Sequence, residues 1–234
     1  MTSSAELLHQ TELLVTSVRS MRDEQISEPS LLPNWSRGHV LAHLDGNALG
    51  LARLIRWGLD GIRRDMYISP EVREGDIALH AKRSKEQHLD AIIASAGQFA
   101  DDFLMLSDEQ LAVEVILRHG RVIKVASVIT LRLQEVAIHH LDLNLPGTFG
   151  PDNWSSTMID KMLPEVASDF ASRDDLPLGW IEVAGGTKYQ INSTIQTGVS
   201  GSPASLLAWL LGRSTGGDLE PTGAGQLPNV PNCR

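Results

Sequence analysis

One stretch constrains the fold more than any other: Leu131-Arg132-Leu133-Gln134-Glu135-Val136-Ala137-Ile138-His139-His140-Leu141-Asp142. Read as a helix, it stacks Glu135 and His139 one turn apart on one face, aimed at a common point. Two ligands of a metal site are then in place, and a third has to come from another element. The segment Gly38-His39-Val40-Leu41-Ala42-His43-Leu44-Asp45 offers His39 and His43, also at helical four-residue spacing, and spacing leaves either open. Two histidines and a glutamate leave one coordination position free, as in a catalytic zinc site and unlike a closed structural one. His140 points about 100° away from His139 on an ideal helix, so it reads as structural. Asp142 could orient a ligand, although the ordinary reading is a solvated or capping carboxylate.

The preceding chain reads as helices that could surround this one. Ser3 and Glu6 form a capping box, and Leu7, Leu14, Val18 and Met21 follow on one face of a helix from about residue 4 to 25. Ser36 caps a second helix with Val40, Leu44, Leu51 and Ile55 as its stripe, reaching Gly58 or Gly61. Ser69-Pro70 opens a third, whose pattern runs on through Leu89, Ile92, Ile93, Phe99, Phe103 and Leu106, so that it is either one long helix or split near residue 81. Val113 to Arg118 and Arg121 to Val125, around His119-Gly120, form a small hairpin, and Ala126 to Leu143 is the fourth helix. After Pro146-Gly147 the pattern changes. Asn153 to Phe170 is amphipathic, Trp180 to Val183 and Lys188 to Ile191 alternate as strands, and Ser202-Pro203 opens a short helix. The Gly/Pro-rich residues 214–234 read as a tail or extended wrap. The expectation is an α+β chain, with a four-helix bundle and small hairpin over 1–148 and a small α+β domain over 149–234.

Charge and composition exclude several functions. A formal net charge of -9 argues against general affinity for nucleic acid or an anionic membrane, which need clustered cations. No apolar run is long enough to span a bilayer, and Met1-Thr2-Ser3-Ser4-Ala5-Glu6 lacks the basic and apolar segments of a secretion signal, so a cytoplasmic protein is expected. The single cysteine, Cys233, excludes an internal disulfide framework and sits in a tail with no feature that would activate it. Any thiol chemistry therefore draws its thiol from a partner molecule. The oligomeric state is not legible.

Three ordered motifs carry a resemblance: Leu31-Leu32-Pro33-Asn34-Trp35-Ser36-Arg37-Gly38-His39-Val40-Leu41-Ala42-His43-Leu44-Asp45-Gly46-Asn47-Ala48, Met66-Tyr67-Ile68-Ser69-Pro70-Glu71-Val72-Arg73, and Glu135-Val136-Ala137-Ile138-His139. Together they resemble the mycothiol-dependent maleylpyruvate isomerase family, which joins a DinB-like metal-binding four-helix bundle to a small α/β domain. The resemblance implies zinc, or another divalent metal, held by His43, Glu135 and His139, which decides against His39. It also implies that Arg73, and Arg213 in Leu211-Gly212-Arg213, face the active site. The implied cofactors are the metal and mycothiol, and the implied substrate is small and anionic or electrophilic.

Such machinery suits a metal-activated thiolate that adds to an electrophile. The resemblance implies cis–trans isomerisation of maleylpyruvate to fumarylpyruvate, with a mycothiol S-transferase or thiol-exchange enzyme as the alternative. Two histidines and a carboxylate could also form the facial triad of a non-haem iron oxygenase, but the helical Glu-x-x-x-His placement favours the bundle. A zinc-dependent regulator would need a redox-active cysteine at the metal, and none is available.

Overall fold

Serine side chains set where most of the helices begin. Ser36 accepts the His39 N–H at 3.4 Å, Ser69 that of Val72 at 3.2 Å, and Ser84 that of Gln87 at 3.3 Å. These caps open α2 (Arg37–Asp60), α3 (Pro70–His80) and α4 (Lys85–Leu104). Ser107 likewise caps the short α5 (Asp108–Leu111). At the other end of α2, Gly61 takes the left-handed conformation (φ 74°) that closes a helix and that glycine adopts without strain.

The computed structural model describes residues 3–173, 175–223 and 226–229, in two compact units, Met1–Phe149 and Gly150–Arg234. In the first unit, α1 (Ser3–Ser20), α2, α4 and α6 (Val128–Asp142) close a ring in which α1 packs on α6 and α4, and α2 packs on α4 and α6. The ring is the four-helix bundle of the sequence reading. Helix α2 is buried over most of its length, from Val40 and Leu41 through Leu44 and Leu51 to Leu54 and Ile55, because α3 covers another of its sides. The hairpin of β1 (Glu114–Ile116) and β2 (Val122–Lys124) pairs antiparallel, with Val115 opposite Ile123.

In the second unit, α7 (Ser156–Ala171) and α8 (Pro203–Leu210) pack on each other and on a sheet ordered β4-β3-β5-β6. Its strands are β3 (Trp180–Val183), β4 (Lys188–Gln190), β5 (Thr197–Gly201) and β6 (Glu220–Gly223). Strand β5 runs parallel to β3 and antiparallel to β6. Gly198 lies opposite Trp180, where a Cβ would come within 2.1 Å of the indole, so the bulky ring requires glycine across the ladder.

Several boundaries differ from the sequence expectations. The first helix stops at Ser20 because Arg22 turns extended, and Asp23–Ser27 is a separate 3₁₀ turn. Of the two readings of the third helix the split one holds: it ends at His80, and Ser84 caps a separate α4. Ala126 belongs to a 3₁₀ turn, Val125–Ser127, ahead of α6. The region from 214 onward is not simply a tail, since Glu220–Gly223 pairs with a strand that its own Gly-rich sequence concealed. Cys233 lies outside the described residues. Among the described residues no helix is long and apolar enough to cross a membrane.

The start of α2 depends on a close approach at Gly38. A Cβ there would sit 2.3 Å from the Ala81 carbonyl oxygen, a backbone atom that cannot swing aside, whereas at Gly46 nothing lies within 4 Å. Gly38→Ala is therefore expected to destabilise the protein by about 1–3 kcal/mol, and Gly46→Ala to stabilise it by roughly 0.5–1 kcal/mol. Thermal unfolding of the two variants checks this, and equal melting temperatures would contradict it.

Candidate metal centre

The three ligand candidates come from α2 and α6, two helices that pack directly on each other. His43 on α2 places Nε2 3.0 Å from Oε2 of Glu135 on α6, and His139 Nε2 lies 3.4 Å from the same oxygen. All three donor atoms fall within 4.8 Å of one another. The imidazoles meet edge to face at 90°, with centroids 4.6 Å apart, so their nitrogens converge without the rings competing for space. The indole of Trp35 stands edge-on to His43 at 5.7 Å. His43 is buried, while Glu135 and His139 are half-buried, so the cluster opens on one side.

Behind His139, the carboxylate of Asp142 accepts from Nδ1 at 2.8 Å and is itself fully buried. The solvated or capping role is thereby overturned: the last turn of α6 brings Asp142 back against His139, and it fixes the ring with Nε2 facing Glu135. Burial would lower the basicity of His139, yet hydrogen bonds to Asp142 and Glu135 outweigh it and raise its pKa to about 9. Burial alone would raise the Glu135 carboxyl, but the hydrogen bonds from His139 and His43 hold it well below the usual range. The metal-free cluster is thus a carboxylate clasped by a protonated His139 and by His43.

His43 completes the pattern in a way that bears on metal fit. Arg73 Nη2 lies 3.0 Å from His43 Nδ1, and a guanidinium can only donate, so Nδ1 accepts and the ring proton sits on Nε2 toward Glu135. Burial lowers the pKa of His43, which keeps it neutral. Two neutral imidazoles and a carboxylate are a donor set that fits zinc or a similar divalent ion. For Nε2 of His43 to serve, its proton moves to Nδ1 and Arg73 turns away. The other prong of Arg73 is paired with Glu74, and its guanidinium lies over the Tyr67 ring at 5.4 Å. A cavity of about 190 Å³ opens beside His43, lined by Asp45, Arg53, Tyr67, Arg73 and His80 among others.

The remaining expectations separate clearly. His39 is not in the cluster: its Nδ1 lies 2.8 Å from Ser36 Oγ and 3.3 Å from Ser36 N, so it serves in the cap of α2. His140 is structural as expected, with Nε2 2.7 Å from Ser17 Oγ and its ring stacked on Phe149 at 3.7 Å. Arg213 belongs to the second unit, where it follows α8 and its Nη1 donates to the Leu211 carbonyl at 2.7 Å.

Sequence reasoning missed two arginines that hold the ligand-bearing helices together. Arg132 is fully buried, and its Nη1 donates to the Leu44 carbonyl at 2.8 Å and to Asn47 Oδ1 at 2.9 Å. Asn47 is one turn beyond His43 and Arg132 just short of one turn before Glu135, so the same helical spacing carried one turn further would have found both. Arg37 donates from Nε to the Leu143 carbonyl at 2.6 Å and from Nη2 to that of Asn144 at 2.9 Å, and it pairs with Glu28. No local pattern around Trp35-Ser36-Arg37 announces that role.

A helical bundle with an inward histidine–glutamate–histidine cluster on facing helices is the class that this geometry defines. The family model of the mycothiol maleylpyruvate isomerase N-terminal domain matches residues 7–144, and the chain belongs to that family. Two crystal structures of the mycothiol-dependent maleylpyruvate isomerase, one of them of a histidine-to-alanine mutant, share the fold with TM-scores of 0.88 and 0.87. Each is 22% identical and covers 97% of this chain and 95% of that chain. No curated protein sequence matches the chain.

His43→Ala and His139→Ala are expected to abolish binding of one divalent metal per chain, as read by elemental analysis, with His39→Ala unaffected. The reverse pattern would refute the ligand set. Because a protonated His139 excludes metal below its raised pKa, metal affinity should climb about tenfold per pH unit from neutrality and level off near pH 9. A competition titration with a chromophoric chelator measures that slope, and a flat profile would contradict the clasped arrangement. The same shift fixes the sign of metal-free stability: the His139 contribution is complete below about pH 6.5 and is lost as pH rises through about 9.

Proposed function

We propose that this chain is an enzyme that uses mycothiol, binds a divalent metal through His43, Glu135 and His139, and acts on a small electrophile bearing carboxylate. The favoured reaction is the cis–trans isomerisation of maleylpyruvate to fumarylpyruvate. The observation that carries the reading is the convergence of three ligand atoms within 4.8 Å of one another, backed by Asp142 and bordered by Arg73. Family membership supports the same reading.

When bound, the metal and the thiol together supply a thiolate at neutral pH, the nucleophile needed for reversible addition to a cis double bond. The chain's own residues do the rest. His43 and His139 present Nε2 to a common point, and the buried Asp142 keeps His139 from rotating out of it. Arg73 reaches His43 through one prong, so turning that prong outward delivers a cation to a substrate carboxylate at the mouth of the cluster. Its charge also favours negative charge developing on a substrate carbonyl oxygen. Trp35 and Tyr67 wall the region with aromatic surface that restricts water. Addition would form a C–S bond and turn the double bond into a single bond, rotation would follow, and elimination would break the C–S bond and remake the double bond in trans, so the thiol is returned and no oxidant or reductant is needed.

A second reading, a mycothiol S-transferase or thiol-exchange enzyme, draws support from the mixed lining of the cavity beside His43. There Asp45 and Asp76 accompany Arg53 and Arg73, which suits a neutral electrophile as well as an anion. For Arg213, the proposal of a carboxylate contact rests on the resemblance of Leu211-Gly212-Arg213 alone.

Activity should depend on added thiol and survive Cys233→Ser. Turnover by metal-loaded protein freed of low-molecular-weight thiols would refute the mechanism. Arg73→Ala, and Arg213→Ala if it contacts substrate, should lower kcat/KM for maleylpyruvate by roughly tenfold to a few hundredfold, in line with loss of a charge-assisted hydrogen bond. Lysine should rescue poorly at either position, because it lacks the planar fork. Arg73→Ala should also bind metal at least as tightly as the wild type, since it removes the donor that competes for His43. Thiol-dependent conjugation of a neutral electrophile, without isomerisation, would move the assignment to the second reading.

A further inference from the structure

The hairpin, which neither the sequence motifs nor the metal cluster accounts for, presents an unmatched cation toward Arg73. Its turn is closed by Leu117 N–H to Arg121 O at 2.9 Å and by Gly120 N–H to Leu117 O at 2.8 Å. Gly120 takes φ 82°, so the chain reverses tightly and leaves Arg118 and His119 at the tip. Between this tip and the segment joining α2 to α3 lies a cavity of about 440 Å³, whose walls include Arg63, Asp65, Tyr67, Arg73, Arg118 and His119.

The charges in that cavity do not balance. Three arginines face one carboxylate, in a chain whose formal net charge is -9. Asp65 is already matched by Arg63 at 3.6 Å, and Arg63 also lies over the Trp57 ring at 5.9 Å. Arg73 is engaged with Glu74 and His43. Arg118 makes no hydrogen bond or ion pair among the described residues. It is nonetheless close enough to act electrostatically on the Tyr67 phenol, which also senses Arg73 and Glu135. Tyr67 and Arg73 are therefore a wall shared between the metal cluster and this cavity. A free guanidinium in a concave, net-positive recess is suited to a carboxylate, which accepts two parallel N–H bonds.

We propose that this recess is an anion subsite in which Arg118 receives a second substrate carboxylate, remote from the reacting carbon, so that the hairpin selects dianionic over monoanionic substrates. The inference rests on the function proposed above and adds a specificity residue to it. The substrate spans from the cluster, past Arg73 and Tyr67, to the hairpin tip. Arg118 acts in binding and does not touch the reacting atoms, so its loss should appear in KM and leave kcat nearly unchanged.

The test uses metal-loaded full chain and two probes of equal length, heptanedioate and heptanoate, titrated calorimetrically into wild type, Arg118→Ala and Arg118→Glu. Arg118→Ala should weaken the dianion about tenfold, Arg118→Glu should weaken it further, and heptanoate binding and metal content should be unchanged in both. With maleylpyruvate and mycothiol, KM of Arg118→Ala should rise by a similar factor. Heptanedioate binding that is absent in wild type, or equal in wild type and both variants, would overturn the subsite. Turnover with an unaltered KM in Arg118→Ala would overturn it while leaving the proposed function standing. Arg118-dependent heptanedioate binding in a protein without thiol-dependent turnover would support the subsite and contradict the function.

Discussion

Everything at the centre depends on the register of α2 against α6. His43 is on one helix, Glu135 and His139 on the other, and a slip of one residue would turn a ligand by about 100° away from the common point. Packing of apolar side chains resists separation better than it resists sliding. Directional contacts from two arginines supply what packing lacks. Arg37, in the first turn of α2, binds the carbonyls of Leu143 and Asn144 at the end of α6, where a cation also complements the helix dipole. Arg132 on α6 binds the Leu44 carbonyl and Asn47 on α2. The candidate ligands His43, Glu135 and His139 lie between these two ties.

This arrangement puts a polar layer into the bundle core, and its charges hold one another in place. Burial draws the Arg132 pKa down to about 10, with the Glu135 carboxylate as the leading opposing influence. Glu135 stays ionised because two imidazoles donate to it, and His139 stays protonated because Asp142 and Glu135 both accept from it. In the absence of metal, protons occupy the ring nitrogens that would bind it. Without metal the cluster is thus satisfied, which lets the bundle tolerate a half-open polar core without an unpaired buried charge. Under the proposed function, metal binding would be coupled to proton release from His139 and to displacement of Arg73 from His43.

Much of this was legible in the chain. Ser36 and Ser69-Pro70 gave α2 and α3 their first residues, while the Ser84 cap that starts α4 went unread, and the four-residue spacing of Glu135 and His139 placed both on one face. Spacing could not choose between His39 and His43, because both fit a helix, and the decision lay in Ser36, whose cap engages His39. Asp142 was misread since a carboxylate near a helix end is usually solvated, and only the packing around α6 buries it. Strands β5 and β6 were missed because Gly198 and Gly201 in one and Pro221 in the other mask the alternation that marks a strand; their pairing comes from the sheet. Arg118 reads as the end of the first hairpin strand, but the strand stops at Ile116 and leaves Arg118 in the turn, against a cavity that no local pattern announces.

The central claim is that a metal at His43, Glu135 and His139 takes the thiol sulfur into its open position. X-ray absorption at the zinc edge of the loaded protein, with and without mycothiol, tests it directly. Without thiol, the shell should contain two imidazoles and oxygen donors only. With thiol, one sulfur should enter at about 2.3 Å. A shell that keeps only nitrogen and oxygen at saturating mycothiol would contradict the claim.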